Sequence, residues 1–445
     1  MAGTQNPVTI STKQLELTQR ATEIKADGLL TLSHYIDVDW LREAYRQTRK
    51  DGASGVDGQT AADYEMDLDR NLSSLLDRFK SGRYRAPPVR RVYIPKADGK
   101  SRRPIGIPTL EDKVLQRAVV MLLEPIYELE FTESSYGFRP GRSAHQALEA
   151  LWRGTMGYPD SWLIELDIEK FFDTVDHALL RSMVARRVGD GVIRRVIGKW
   201  LKAGVMEDRQ LSYPTQGTPQ GGVISPLLAN IYLHEVLDRW FEEEVKPRLS
   251  GRAFVVRYAD DAVLGFAREE DARRVYAVLA KRFTKFGLTL HPEKTRLLAF
   301  KRPRTKEGPR GGPKADRSFD FLGFTHFWAR SRKGTWVVRR KTAKGRLSRA
   351  LRSIALWCRY HRHEPVVWQH AQLSRKLRGH YAYYGITGNG RSLARFLHAV
   401  ERIWRKWLAR RSNRAKLLWA RFAEFLKRRP LPPIRIAHSS YVTRS

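Results

Sequence analysis

At 445 residues, with 42% apolar and 11% aromatic side chains, the chain can bury a sizeable core and is unlike a disordered tail. Its single cysteine, Cys358, excludes an internal disulfide and a multi-thiolate zinc site and fits a reducing compartment; no secretory signal and no run of about 20 apolar residues points to a membrane. The net charge is +35, and it is placed unevenly: residues 1–300 hold 45 Lys+Arg against 41 Asp+Glu, whereas residues 301–445 hold 37 against 6, which favours a phosphate-backbone partner.

In chain order, residues 1–35 are polar and weakly patterned and read as a loosely packed lead-in. Tyr35 to Lys50 reads as a short helix with Leu41, Ala44 and Tyr45 on one side. The turn formers of Asp51 to Gly58 make an ordered loop, and a helical stretch follows to Phe79. Val89 to Pro95 reads as a strand and Ala97 to Lys100 as a hairpin turn. Residues 111–130 return to helical spacing through Val114, Leu115, Ala118, Val119 and Leu122. Trp162 to Asp167 is a short apolar strand, and Asp176 suits the N-cap of a helix carrying Leu180 and Val184. Ser225-Pro226 reads as the N-cap and first residue of another helix. Phe254 to Phe266 is two apolar runs that meet at Ala259-Asp260-Asp261, hence a hairpin. Lys301 to Arg317 is a basic, glycine-rich loop. Beyond it three helical stripes follow: Leu347 to Cys358, Leu373 to Tyr384, and Leu393 through Phe396, Val400, Trp404 and Trp407 to Leu408.

Three carboxylates stand where strands end: Asp167, Asp260 and Asp261. Carboxylates at adjacent strand ends can hold two divalent cations about 4 Å apart, the arrangement that activates a hydroxyl and stabilises a leaving pyrophosphate. Magnesium suits such oxygen ligands. An isolated Asp-Asp in a turn is more often solvated turn chemistry. What raises this one above that reading is its strand-like flanks and the third acid closing another strand.

Several motifs then make the chain recognisable. Tyr258-Ala-Asp-Asp261 in its apolar hairpin resembles the signature of reverse transcriptases, and Leu166 to His177 resembles that family's first catalytic motif. Gln216-Gly-Thr-Pro-Gln-Gly-Gly-Val-Ile-Ser-Pro-Leu-Leu-Ala-Asn230 is similar to its nucleotide-site loop and following helix. Ile94-Pro-Lys96, Arg103 to Pro108, Tyr136 to Arg142 and Phe321 to Phe324 stand in the expected order. The Gly52 to Gly58 loop and Leu377 to Tyr384 resemble group II intron-encoded reverse transcriptases and maturases in particular.

The resemblance implies an α+β right-hand polymerase. Its expected parts are a flexible lead-in (1–35), an N-terminal extension and fingers (36–158), a ferredoxin-like palm (159–330), an α-helical thumb or maturase domain (331–411) and a basic tail (412–445) that would contact DNA. It implies Asp167 and Asp260 as the main ligands of two Mg²⁺ ions, with Asp261 supporting and the Ile168 carbonyl completing a shell. Phe172 would exclude a 2′-hydroxyl, Gln220 would line the nucleotide pocket, and Lys96 and Arg103 would hold the triphosphate. Taken alone, Phe172 would be core packing, and Lys96 and Arg103 solvated surface. Trp404, Trp407 and Trp419 read as core, while one or two of Tyr381, Tyr383 and Tyr384 would face the primer-template. Arg402, Arg405 and Arg410 are the candidates for phosphate contact.

The implied partners are an RNA template, a DNA or RNA primer, deoxynucleoside triphosphates, group II intron RNA and target DNA, in the bacterial cytoplasm and with no membrane. The lone cysteine excludes the cysteine pairs of the zinc-associated endonuclease that many group II intron proteins carry, so a short form is expected. Two rival readings keep the same frame: a relative domesticated for repair or phage defence, and a splicing factor without polymerase activity.

Overall fold

The computed structural model describes residues 9–24, 28–95, 102–158, 160–208, 210–213, 215–217, 221–303, 318–331, 333–412 and 417–438. Lys96, Gln220, the expected turn at 97–100 and most of the basic loop after Lys301 lie outside the described residues. The chain divides into two compact units, Met1–Ser143 with Ile164–Leu297, and Ala144–Leu163 with Leu298–Ser445. The strands are β1 (Val89–Pro95), β2 (Arg102–Ile107), β3 (Asp160–Leu166), β4 (Val205–Glu207), β5 (Gln210–Ser212), β6 (Ala253–Tyr258), β7 (Asp261–Phe266), β8 (Arg296–Lys301), β9 (Ser318–Phe321), β10 (Phe324–Arg330) and β11 (Trp336–Thr342).

The first unit is built round the helix Leu110–Glu128. The five residues whose spacing marks its apolar face are all buried, and so are Val120, Met121 and Leu123, so this helix is enclosed on more than one side. Helix Val38–Gln47 packs on it through Trp40, whose indole donates to the Ala118 carbonyl (3.0 Å). The N-terminal stretch departs from expectation. Ile10–Glu23 is a helix with its N-cap at Thr9 and with Leu17 and Ala21 buried. Its apolar stripe is only two residues wide, too weak a period to read, yet it has a surface to lie on: Gln14 donates to the Met121 carbonyl.

Two sheets belong to this unit. One has the order β2-β1-β4-β5, with β1 and β2 antiparallel and Ile94 opposite Arg103. The other has the order β6-β7-β3-β8, to which the unit contributes the hairpin, Ile164–Leu166 and the start of β8. Taken as four strands in chain order, that is second, third, first, fourth. The helix His177–Arg187 and those after it precede β6, and the helix Glu269–Lys285 precedes β8. This is the split βαβ arrangement of a ferredoxin-like sheet, and the α+β fold class holds.

Helix His177–Arg187 starts at Asp176, whose carboxylate accepts from the Leu179 amide (2.8 Å). The helix at Ser225 begins one residue earlier than its sequence suggests. Ile224 is its N-cap and makes no side-chain cap bond, so Ser225 and Pro226 are already helical. It runs on through Val245, with His234–Asp238 and Trp240–Val245 wound as π-helix.

In the second unit β9, β10 and β11 form an antiparallel sheet, so Trp336–Thr342, inside the region expected from residue 331 to be α-helical, is a strand. Phe321 faces Phe324 across a two-residue turn in which Leu322 and Gly323 have φ of +48° and +82°, the left-handed pair that closes a tight hairpin. The helices Lys344–Tyr360, Val366–Tyr384, Gly390–Leu408 and Trp419–Arg428 follow. The three stripes meet in one core containing Ile354, Cys358, Leu373, Leu377, Phe396, Val400 and Trp404. Among the described residues no helix is long and apolar enough to cross a membrane.

Candidate active site

The carboxylates are placed by two strand ends. In the hairpin Tyr258 lies opposite Asp261, so Ala259 and Asp260 alone form the turn. Ala259 has φ of +56°, a conformation that costs an ordinary residue about 1–2 kcal/mol and must be held by its surroundings. Arg257 holds it. Its guanidinium donates to the Ala259 carbonyl (3.0 Å), to Asn230 Oδ1 (3.0 Å) and to both oxygens of Asp238 (2.8 and 2.5 Å). Arg257 and Asp238 are both fully buried.

Asn230 passes the restraint on, donating to the Gly137 carbonyl (2.8 Å). The strand itself is bound by the segment before Gly137: the Tyr136 amide donates to the Arg257 carbonyl and the Arg257 amide to the Ser134 carbonyl. At Gly137 no side chain would fit, since a Cβ there would stand 2.3 Å from the Ala259 nitrogen.

Asp167 follows directly on β3. Its carbonyl accepts from the His291 amide (2.9 Å) and the Thr295 hydroxyl (3.1 Å), and its amide donates to Thr295 Oγ1. Ile168 is bridged antiparallel to Leu290, flanked by the bonds from His291 to Asp167 and from Glu169 to Thr289. In that pattern the amide and carbonyl of Ile168 itself point away from the partner strand, which leaves its carbonyl to face elsewhere.

Burial first, and then the charge of Asp167, push the Asp260 carboxyl above its ordinary value, against its own backbone hydrogen bond and the cations Arg103 and Arg257. Lys294 stands at 3.4 Å from both Asp167 oxygens. Asp261 opens β7 on an exposed position. Among the described residues no three His, Cys, Asp or Glu side chains already surround a metal position. The donor set nevertheless fits a hard divalent cation. The charge of Asp167 raises the cost of ionising Asp260, and a lysine ammonium is drawn to Asp167.

Beside this cluster Phe171 is buried, edge-on to Tyr232, and Phe172 is half-buried. Gly217 of the nucleotide-site motif lies against the backbone of Phe172 and Asp173. The Gly217 amide donates to the Val175 carbonyl, and a Cβ on Gly217 (φ +88°) would stand 2.8 Å from the Phe172 carbonyl oxygen. Further along that motif a Cβ on Gly221 would come within 2.5 Å of the Gly106 carbonyl on β2. The glycines thus permit backbone to lie on backbone. Arg103 is exposed on β2, with its charge in range of Asp260.

In the second unit a cleft of about 390 Å³ is lined by Arg402, Arg405, Lys406 and Trp419. Arg405 lies over the Trp419 ring (4.3 Å) and donates to the Leu417 carbonyl. Arg410 lies over Trp407. Trp404 is fully buried and donates to Gln369, but Trp419 is 45% exposed and so is not core. The three tyrosines are more engaged than expected. Tyr381 is buried, the Tyr383 hydroxyl donates to the Leu322 carbonyl (2.8 Å), and Tyr383 and Tyr384 both pack on Phe324.

Asn230 and Gly137 stand inside the motifs Gln216 to Asn230 and Tyr136 to Arg142 without a role marked there, and no motif singles out Arg257, Asp238 or the cation Lys294. A signal did exist for Arg257. A lone arginine within the apolar run of β6 must either leave the strand face or find a buried acid.

Residues 94–326, just over half of the chain, match the reverse transcriptase (RNA-dependent DNA polymerase) family, and the chain belongs to that family. Its members use divalent metal ions and act on nucleic acids. Among its relatives the chain is 45% identical over 168 residues to the group II intron-encoded protein LtrA of Lactococcus lactis subsp. cremoris, covering 38% of this chain and 28% of that protein. It is 42% identical over 221 residues to the protein YkfC of Escherichia coli, covering 48% of this chain and 57% of that one. The nuclear intron maturase 2 of Arabidopsis thaliana, a mitochondrial protein, is 30% identical over 178 residues, covering 31% of this chain and 24% of that one. The match thus spans little more than half the length of one relative and less than a third of the other two.

Proposed function

We propose that the chain is an RNA-directed DNA polymerase of the group II intron kind, extending a primer 3′-hydroxyl along an RNA template with deoxynucleoside triphosphates. The observation that carries this reading is Asp260. It sits on a turn fixed by a buried arginine and within electrostatic reach of Asp167. In the reaction the primer 3′-oxygen bonds to the α-phosphorus as the bond to the β-phosphate oxygen breaks, and pyrophosphate leaves. When bound, two Mg²⁺ ions would acidify the hydroxyl and stabilise the leaving group's charge, held by Asp167, Asp260, Asp261 and the Ile168 carbonyl.

The chain's own groups do the rest. Arg103, with Lys96, binds the triphosphate by charge-assisted hydrogen bonds. Gln220 lines the nucleotide pocket. Phe172 closes the space that a 2′-hydroxyl would need. Arg257 keeps Asp260 from moving as charge develops, which is the preorganisation such a site requires.

In this reading residues 36–158 supply the fingers, 159–330 the palm and 331–411 the thumb. Arg402 and Arg410, with Arg405 more tightly tied down, contact RNA phosphates, and the same helices bind intron RNA as a maturase does. Target DNA would meet the basic tail of residues 412–445. The protein acts in the cytoplasm, with its nucleic acids.

Primer extension on an annealed RNA template tests the reading, with deoxynucleotides or ribonucleotides and with Asp260→Ala beside the wild type. Extension with deoxynucleotides only, abolished in a folded Asp260→Ala protein, is the expected result. Unchanged extension by that variant would remove the assignment.

A further inference from the structure

The first unit carries a second basic feature, in a region where acids and bases nearly cancel. A cleft of about 440 Å³ lies among the helices His177–Arg187 and Gly191–Leu201 and the chain leading into β1. Its cations are Arg85, Arg181, Arg194, Arg195, Lys199 and Lys202, and among the described residues no carboxylate lines it. Three of them come from one face, since Arg195, Lys199 and Lys202 recur at the spacing of adjacent helical turns, and Arg194 stands beside Arg195. Among the described residues none of the six makes an ion pair with an acid. Solvated helix faces normally interleave acids at such positions, and here cation follows cation.

Other details give the cleft a shape. Lys199 is fixed at its wall, donating to the carbonyls of Gly82 (2.7 Å) and Tyr84 (2.5 Å). Gly198 adds no side chain to the floor, where a Cβ would stand 3.9 Å from Arg181 Nε. Tyr213 lines the cleft and is 68% exposed. Its ring stands on Gly204, where a Cβ would be 3.1 Å away. None of the lining residues belongs to the carboxylate cluster.

We propose that this cleft is an accessory site for a single nucleic-acid strand, separate from the polymerase site. Its arginines and lysines would take successive phosphates, and Tyr213 would stack an unpaired base. The chemistry is that of a phosphodiester strand. Arg194 to Lys202 spans about 12 Å of helix axis, long enough to meet more than one phosphate of an extended strand. A basic groove beside an exposed aromatic ring is the usual platform for unpaired strands.

The test neutralises three exposed members, Arg181→Gln, Arg194→Gln and Arg195→Gln together. A control variant removes the same charge elsewhere on this unit with Arg70→Gln, Arg248→Gln and Arg274→Gln. Binding of a labelled oligouridylate and of oligothymidylate is measured against salt, with a blunt primer-template duplex in excess to occupy the polymerase site.

Neutralising one phosphate-binding cation should lower the salt slope by about 0.7, so three together lower it by about 2 and weaken binding roughly 100-fold near 0.1 M salt. The control should change neither by more than a fraction of that, and primer extension on the short duplex should stay at the wild-type rate. The RNA and DNA arms identify which strand uses the cleft. Tyr213→Ala should weaken binding further with no change in slope. A cleft variant with the wild-type slope, or a control that weakens as much, would overturn the proposal. Absence of primer extension by the wild-type protein with its strand binding intact would count against the polymerase reading alone, whereas loss of extension in the cleft variant would overturn the separation of the two sites.

Discussion

Gly137→Ala would place a methyl group where the Ala259–Asp260 turn lies. The new Cβ would stand 2.3 Å from the Ala259 nitrogen and 3.0 Å from its Cα, whereas ordinary contacts begin near 3.4 Å. One side must retreat by about 1 Å. The Gly137 segment is anchored, with its carbonyl on Asn230 and the Tyr136 amide on the Arg257 carbonyl. The displacement therefore falls in part on the turn that carries Asp260. A misplacement of about 1 Å in a positioned reacting group costs on the order of 100-fold in rate, or roughly 2.7 kcal/mol of barrier. Overpacking of this kind also costs about 1–3 kcal/mol of stability.

The assay is single-nucleotide primer extension at saturating duplex, with duplex affinity and urea unfolding measured alongside. The expected outcome is a kcat near one-hundredth of wild type with duplex binding unchanged. Gly58→Ala is the control, because Gly58 has φ of +70° but nothing within 4 Å of its missing Cβ. It should lose about 1 kcal/mol of stability and no activity. If Gly137→Ala extends primers within twofold of wild type, the turn is not positioned through this contact and the reasoning fails.

Further expectations concern other parts of the chain. Arg257→Met should destabilise the first unit by about 3–5 kcal/mol by leaving Asp238 buried and unpaired, and adding Asp238→Leu should restore stability but not extension, since the turn still lacks its restraint; recovery of both in the double variant would contradict this. Burial, against hydrogen bonds from Tyr84, Trp200 and Gln116, pushes the Asp112 carboxyl from 3.8 up to about 6. The folded chain then holds that proton more tightly than the unfolded one, so stability falls by about 3 kcal/mol as pH rises from about 4 to about 6. Urea titrations across that range should show the slope in wild type and a flatter one in Asp112→Asn. Phe172→Ala should raise ribonucleotide use relative to deoxynucleotide on the order of 100-fold, scored by extension with each. Unchanged selectivity would reassign Phe172 to packing.

Local features of this protein were legible along the chain. The apolar runs flanking Asp260, the cap at Asp176, the period through Val114 to Leu122 and the three stripes of the C-terminal helices each depend on neighbours within a few turns, and periodicity records such neighbours directly. The β9–β11 sheet was not legible, for a physical reason. Its buried positions include His326, Arg340 and Thr342, so the inward face of β10 and β11 is partly polar and the apolar alternation that marks a strand is broken.

What surrounds the carboxylates was decided by tertiary structure alone. Lys294 reaches Asp167 from 127 residues away, Asp238 meets Arg257 only because a π-wound helix passes behind β6, and Gly137 matters because a turn from another element occupies the place of its side chain. The basic cleft is of the same kind. Arg85, Arg181 and Lys202 are unremarkable singly, and their shared field exists only where the fold gathers them without an acid between. Residue type fixed which chemistry was available, while burial and distance, which act across the chain rather than along it, determined which groups could use it.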